Sequence, residues 1–179
     1  MQKNKTFKSV RYLTLAAMLT AISVVIGIIC KNFLNFGGGL FRVTFENLPI
    51  ILSGILMGPA VGGMVGAASD LVSYMLSSQI YPPNLIVTAG AVTVGVVSGL
   101  VSRYWVKERG SKQIILSAGT AHVAGSMIIK TIGLYQFYGI LVLWRIPLYV
   151  VVASLEILVL CFIFSRSSTK KLFGGLWEK

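Results

Sequence analysis

Tyr12-Leu13-Thr14-Leu15-Ala16-Ala17-Met18-Leu19-Thr20-Ala21-Ile22-Ser23-Val24-Val25-Ile26-Gly27-Ile28-Ile29 runs without one charged side chain. An apolar stretch of about 18 residues or more can cross a hydrocarbon core roughly 30 Å thick, because a helix rises about 1.5 Å per residue. Lys3, Lys5, Lys8 and Arg11 precede the run and Lys31 follows it. Basic residues before an apolar run also open secretory signal peptides. This run is long for a signal h-region, however, and no small-x-small cleavage site follows. It is expected to be a retained first membrane helix.

The rest of the chain repeats the pattern. Six spans are predicted, over 10–31, 43–57, 60–78, 84–102, 113–135 and 141–164. A Gly-rich segment (35–40), the Gly58-Pro59 break, the rigid Tyr81-Pro82-Pro83 loop and a charged loop (103–112) punctuate them, and a polar tail covers 165–179. Composition agrees: of 179 residues 55% are hydrophobic and only 12% charged, with a mean hydropathy of +0.82. A soluble domain is about 45–50% apolar and about 25% charged. The expected fold is an all-α integral membrane protein, a six-transmembrane-helix bundle forming a single membrane domain over 1–179.

The net charge of +11 does not point to nucleic acid, because the basic residues come in short groups between apolar spans. Such groups read as topology signals and as attraction to anionic lipid in the bilayer. Lys3, Lys5, Lys8 and Arg11 form one group; Arg103, Lys107, Arg109 and Lys112 a second; Arg166, Lys170, Lys171 and Lys179 a third. An even number of spans places all three on one face, which the positive-inside rule makes cytoplasmic, together with both termini. Cys30 and Cys161 lie inside apolar runs and read as packing thiols, without disulfide or metal spacing. Gly54, Gly58, Gly62 and Gly66, and then Gly95 and Gly99, recur every four residues and predict close helix–helix approach within the chain.

The four remaining basic residues, Lys31, Arg42, Lys130 and Arg145, fall at or just inside the outer ends of their spans. A charge at the bilayer centre costs about 2.5–3.5 kcal/mol on insertion scales, whereas near the interface it can snorkel. Four cations on the side that the positive-inside rule depletes predict an outward-facing pocket for an anion. Three acids lie within spans. Asp70 shares a polar stripe with Ser69, Ser73, Tyr74 and Ser77; Glu46 follows Arg42 at i+4; Glu156 lies inward of Tyr149 and Arg145. His122 shares a seam with Ser126 and Lys130, and one histidine reads as a hydrogen-bonded packing group rather than a metal ligand. Aromatic residues crowd the outer half, including Phe41, Tyr74, Tyr138, Trp144 and Tyr149. They suit an interfacial belt, or the walls of a pocket for a planar ring.

No phosphate-binding G-x-x-x-x-G-K-[ST] loop, H-E-x-x-H or nucleophile elbow occurs. An enzyme is therefore not expected, and neither is a metal site or a cofactor. The chain is short for a carrier built from paired inverted repeats. A binding subunit that borrows an energised partner remains.

Phe41-Arg42-Val43-Thr44-Phe45-Glu46-Asn47-Leu48-Pro49, followed by Gly54, Met57-Gly58-Pro59, Gly62, Gly66 and Asp70, resembles the folate-type substrate-binding (S) components of energy-coupling-factor vitamin transporters. Tyr81-Pro82-Pro83-Asn84 and the Gly-punctuated fourth span extend the resemblance across essentially the whole chain. It implies capture of extracellular folate at the plasma membrane of a prokaryote. Delivery inward would follow toppling of the subunit, driven by a membrane scaffold (T component) and two cytoplasmic ATPases. The family docks an Ala-x-x-x-Ala face of its first helix on the scaffold; Ala17 and Ala21 hold that spacing here.

Folate as ligand fits the charges. Its two tail carboxylates would meet Lys130, Arg42 or Arg145 through charge-assisted hydrogen bonds. Its pterin edge would donate to one buried carboxylate, Asp70 before Glu46, with Asn84 as both donor and acceptor. Tyr74, Tyr149 and Trp144 are candidate ring contacts, and the loops holding Leu40, Phe41 and Tyr138 are candidate gates. Other readings are an S component for another vitamin or base, a stand-alone secondary carrier, and an assembly protein without a solute.

Overall fold

The computed structural model describes residues 3–36, 41–76, 84–106 and 110–165, with side chains at residue 10 and from 12 onward. The first helix, α1, spans Lys3–Phe33. Its exposed face carries Leu13, Met18, Ile22, Val25 and Ile29 at helical spacing, while Leu19, Ser23, Val24 and Cys30 are buried. A two-residue strand β1 (Asn35–Phe36) then pairs antiparallel with β2 (Phe41–Arg42), in the register Asn35 to Arg42 and Phe36 to Phe41. This small ladder is the one departure from an all-helical architecture among the described residues.

Helix α2 spans Asn47–Met57, so the span predicted over 43–57 loses its first turn. Residues 41 and 42 are claimed by the ladder, and Glu46 occupies the N-cap of the helix. At 11 residues α2 covers about half of a hydrocarbon core. It is also almost wholly inside the protein: Ile50, Ile51, Leu52, Ile55, Leu56 and Met57 are all buried.

Gly58 ends α2 with φ 97°, where a glycine is favoured, and its N–H donates to Gly54 O at 2.9 Å. The Arg103 guanidinium also covers this end, donating to Met57 O at 3.3 Å. A cation suits the negative end of a helix.

Helix α3, Pro59–Leu76, and helix α4, Leu85–Leu100, cross so closely that a Cβ on Gly95 would strike Gly62 O, and one on Gly62 would stand 2.5 Å from Gly95 O. Glycine is required there, as the four-residue repeat predicts, because lipid gives no hydrophobic drive and backbone contact must supply the attraction. Asn84 caps α4, its Oδ1 accepting from Ile86 N at 2.9 Å, and α4 runs on through a π-helical turn, Val101–Trp105. Gln113 ties that turn to the next helix by donating to Ser102 O at 2.8 Å.

Helix α5 (Ser111–Ala121), a π-helical segment (His122–Lys130) and helix α6 (Thr131–Tyr138) follow one another without a gap. The chain turns at Gly139, φ 56°, enters a 3-10 segment (Gly139–Trp144), and returns as α7, Arg145–Ser165, against α5 and the π-helical segment.

Three described stretches, Tyr12–Phe33, Leu85–Trp105 and Ser111–Ser165, are long and apolar enough to cross a membrane. The distribution of side chains agrees. Met64, Met75, Leu85, Trp105 and Phe162 are exposed, while Asn47, Gln113, His122, Lys130, Arg145 and Glu156 are buried. That inverts the pattern of a protein dissolved in water and suits one dissolved in lipid. The chain is a helical integral membrane protein. The Tyr81-Pro82-Pro83 loop, Lys107, Arg109 and the tail from 166 lie outside the described residues.

Candidate functional site

The buried face of α1 presents Ser23, Gly27 and Lys31 at steps of four. Ser23 Oγ donates to the backbone O of Glu46 at 2.7 Å and fixes the start of α2 against α1. A Cβ on Gly27 would stand 3.0 Å from Glu46 Oε2 and 3.3 Å from Ser73 Oγ, so only glycine leaves that space open. Lys31 Nζ donates to Ser73 O at 3.3 Å and lies within electrostatic reach of Arg42, Glu46, Asp70 and Lys130.

The β ladder delivers Arg42 to the same place. Glu46, although at an N-cap, makes no capping bond with its side chain; its carboxylate is turned instead toward two cations. Oε2 accepts from Arg42 Nη2 at 3.1 Å, and Oε1 accepts from Lys130 Nζ at 3.4 Å. Lys130 also donates to Asn47 Oδ1 at 3.0 Å, and Asn47 Nδ2 donates to Ser126 Oγ at 3.3 Å. The π-helical segment thereby brings Ser126 and Lys130 together at the top of α2, in keeping with the recurrence of such segments at functional sites.

Beside this cluster is a narrow cleft, too tight for a water molecule, lined by Ser23, Glu46, Ile50, Ser69, Asp70, Ser73 and Ala91. Asp70 Oδ2 accepts from Thr88 Oγ1 at 2.6 Å, while Ser69 Oγ and Arg42 Nε are buried without a partner. Arg145, 5% exposed, places its guanidinium carbon 5.7 Å from the Tyr149 ring centroid, near enough to Arg42 and Glu46 to interact electrostatically. Lys31, Arg42, Lys130 and Arg145 face two carboxylates, Glu46 and Asp70. The excess of positive charge, largely removed from water, makes this an anion-attracting site.

The structure therefore gathers Arg42, Glu46, Asp70 and Lys130, with Tyr74 half-buried one turn beyond Asp70 on α3 and with Arg145 and Tyr149 close by. It does not bring Trp144 to the cluster, and Asn84 reaches it through Thr88, whose Oγ1 lies 3.4 Å from Asn84 O and donates to Asp70. The Asn84 amide caps α4 and donates to Gly133 O at 2.6 Å. Trp144 is 68% exposed. Phe41 is exposed at the ladder, Tyr138 is half-buried at the end of α6, and Leu40 lies outside the described residues. His122 Nε2 and Glu156 Oε2 lie 2.6 Å apart in the interior, tying the π-helical segment to α7. Ala17 and Ala21 lie on the exposed face of α1, whereas Ala16 packs against the core.

Ser23, Gly27, Asn47 and Thr88 were not singled out from the sequence. The signal for the first two was present, since stepping back by fours from Lys31 reaches both. For Asn47 and Thr88 only the folded contacts reveal the role.

Such an architecture, helices facing lipid around a buried cationic site, defines an integral membrane protein with an interior that attracts anions. The chain belongs to the family described as ECF transporter, substrate-specific component, whose family model matches residues 11–176. It is 29% identical over 122 residues to the folate transporter FolT of Clostridium novyi (strain NT), covering 66% of this chain and 67% of that protein. It is 30% identical over 108 residues to an uncharacterized MG098 homolog of Mycoplasma pneumoniae, covering 55% of this chain but 22% of that one. A crystal structure of FolT bound with folic acid is similar with a TM-score of 0.58 and 20% identity, covering 83% of this chain and 89% of that chain. At that identity the likeness concerns the fold.

Proposed function

We propose that the chain is the folate-binding S component of an energy-coupling-factor transporter in a prokaryotic plasma membrane. It forms one membrane domain of six spans with both termini cytoplasmic. It captures folate from outside and delivers it by toppling when coupled to a T component and two ATPases. The observation that carries the reading is the Arg42–Glu46–Lys130 cluster, with Lys31 and Arg145 nearby. Family membership supports the class, and the C. novyi relative supports folate in particular.

In this reading the tail carboxylates of folate meet Arg42, Lys130 and Arg145. Asp70 accepts from the pterin edge with Oδ1, while Oδ2 keeps its bond to Thr88. Tyr74, Tyr149 and Trp144 flank the rings, and Ala17 and Ala21 dock on the scaffold. Beside its cap and its bond to Gly133, Asn84 keeps a second lone pair on Oδ1 and a second proton on Nδ2 for the pterin.

The ligand itself tests the proposal. Protein purified from cells grown with folate is acid-treated and the supernatant scanned; a pterin absorbance is expected, and a different chromophore would reassign the substrate. The crevice beside the cluster has no room for even a water molecule. Folate therefore requires the helices or loops to part. Uptake in cells lacking the scaffold and ATPases should vanish; transport that persists there identifies a stand-alone carrier instead. Labelling of single cysteines placed at 110 and 112 should occur only from the cytoplasmic side. Labelling from outside would invert the topology.

A further inference from the structure

Resting on the folate reading above, we propose that Glu46 is an internal anion that a ligand carboxylate must displace, and that it thereby holds down the affinity of the site for charged ligands without affecting neutral ones. Two of the three cations that the reading assigns to the folate tail are bridged by Glu46, one with each oxygen: Arg42 at 3.1 Å and Lys130 at 3.4 Å. Carboxylate competes with carboxylate for the same donors. A neutral ligand gains nothing by breaking these bonds, whereas an anionic one remakes them.

The surroundings permit the exchange. The Glu46 backbone is held by Ser23 at 2.7 Å, but its side chain makes no cap bond, so the carboxylate can move without unwinding α2. Gly27 has no side chain where a Cβ would stand 3.0 Å from Oε2 and 3.3 Å from Ser73 Oγ, and Ser73 lines the cleft together with Glu46. Arg42 Nε is buried without a partner, so an incoming carboxylate meets a donor that Glu46 leaves unused. The Arg42 and Glu46 side chains are 22% and 14% exposed, accessible from the mouth rather than sealed. Lys130 keeps Asn47 as a second partner at 3.0 Å, which holds its ammonium in place while the anion changes.

The test is Glu46→Gln, which keeps the shape and removes the competing charge. Folate and folate dimethyl ester, whose tail carboxylates are masked, are titrated against wild type and variant. Folate should bind the variant about tenfold more tightly, equivalent to about 1.4 kcal/mol, with no gain for the ester. Weaker or unchanged folate binding overturns the proposal and makes Glu46 a ligand contact or a structural tie. An equal gain for both ligands overturns it too, because the gain is then not owed to the charge of the ligand. If Glu46→Gln does not fold, Glu46→Asp decides: its shorter carboxylate withdraws from Lys130, so tighter folate binding supports displacement and equal or weaker binding overturns it. Wild type that binds no folate refutes the folate reading instead, so the two failures are distinguishable.

Discussion

Lys130 is 5% exposed and divides its ammonium between Glu46 and Asn47. A charged hydrogen bond to a ligand is worth about 1.5–3 kcal/mol, so Lys130→Ala should weaken folate binding by that amount, read by titration; unchanged affinity removes Lys130 from the site. His122 and Glu156 behave differently, since neither touches the cleft. Removing one partner of a buried hydrogen bond costs about 1–3 kcal/mol. His122→Ala should therefore lower the thermal stability of the purified protein, and an unchanged unfolding temperature would show that the pair contributes nothing. The positions of these charges are legible in sequence because a charge in an apolar run is expensive and stands out. Their partners are not: Lys130 lies 84 residues from Glu46, and no local pattern joins a π-helical segment to the N-cap of α2.

Helix crossings are set by glycine. Gly62 and Gly95 meet backbone to backbone where α3 crosses α4, and the spacing of four that produces this is visible in the sequence. Gly95→Leu should prevent the crossing, giving aggregated or protease-sensitive protein; a monodisperse variant that binds folate would contradict the packing described here. The face of α1 makes a separate prediction. Ala17 and Ala21 are exposed and distant in role from the ion cluster, so Ala17→Trp should leave folate binding intact and abolish uptake. Uptake at the wild-type rate means that the scaffold docks elsewhere. The start of α2 was misplaced by the sequence reading, because hydropathy marks where a helix can lie. Strand pairing at Arg42 and the cap at Glu46 decide where this one begins.

At the scale of the molecule, apolar side chains face outward and buried polar ones inward among the described residues, and a strongly cationic interior lies between α1, α2 and the π-helical segment. Hydropathy alone predicts the membrane; charge asymmetry predicts an anion at the outer mouth. The central claim is that this cationic interior holds an anionic vitamin. Titration of folate into the detergent-purified wild-type protein, followed by tryptophan fluorescence, tests it most directly. Saturable quenching that weakens in Lys130→Ala is predicted. A wild-type signal that does not change with folate would contradict the account.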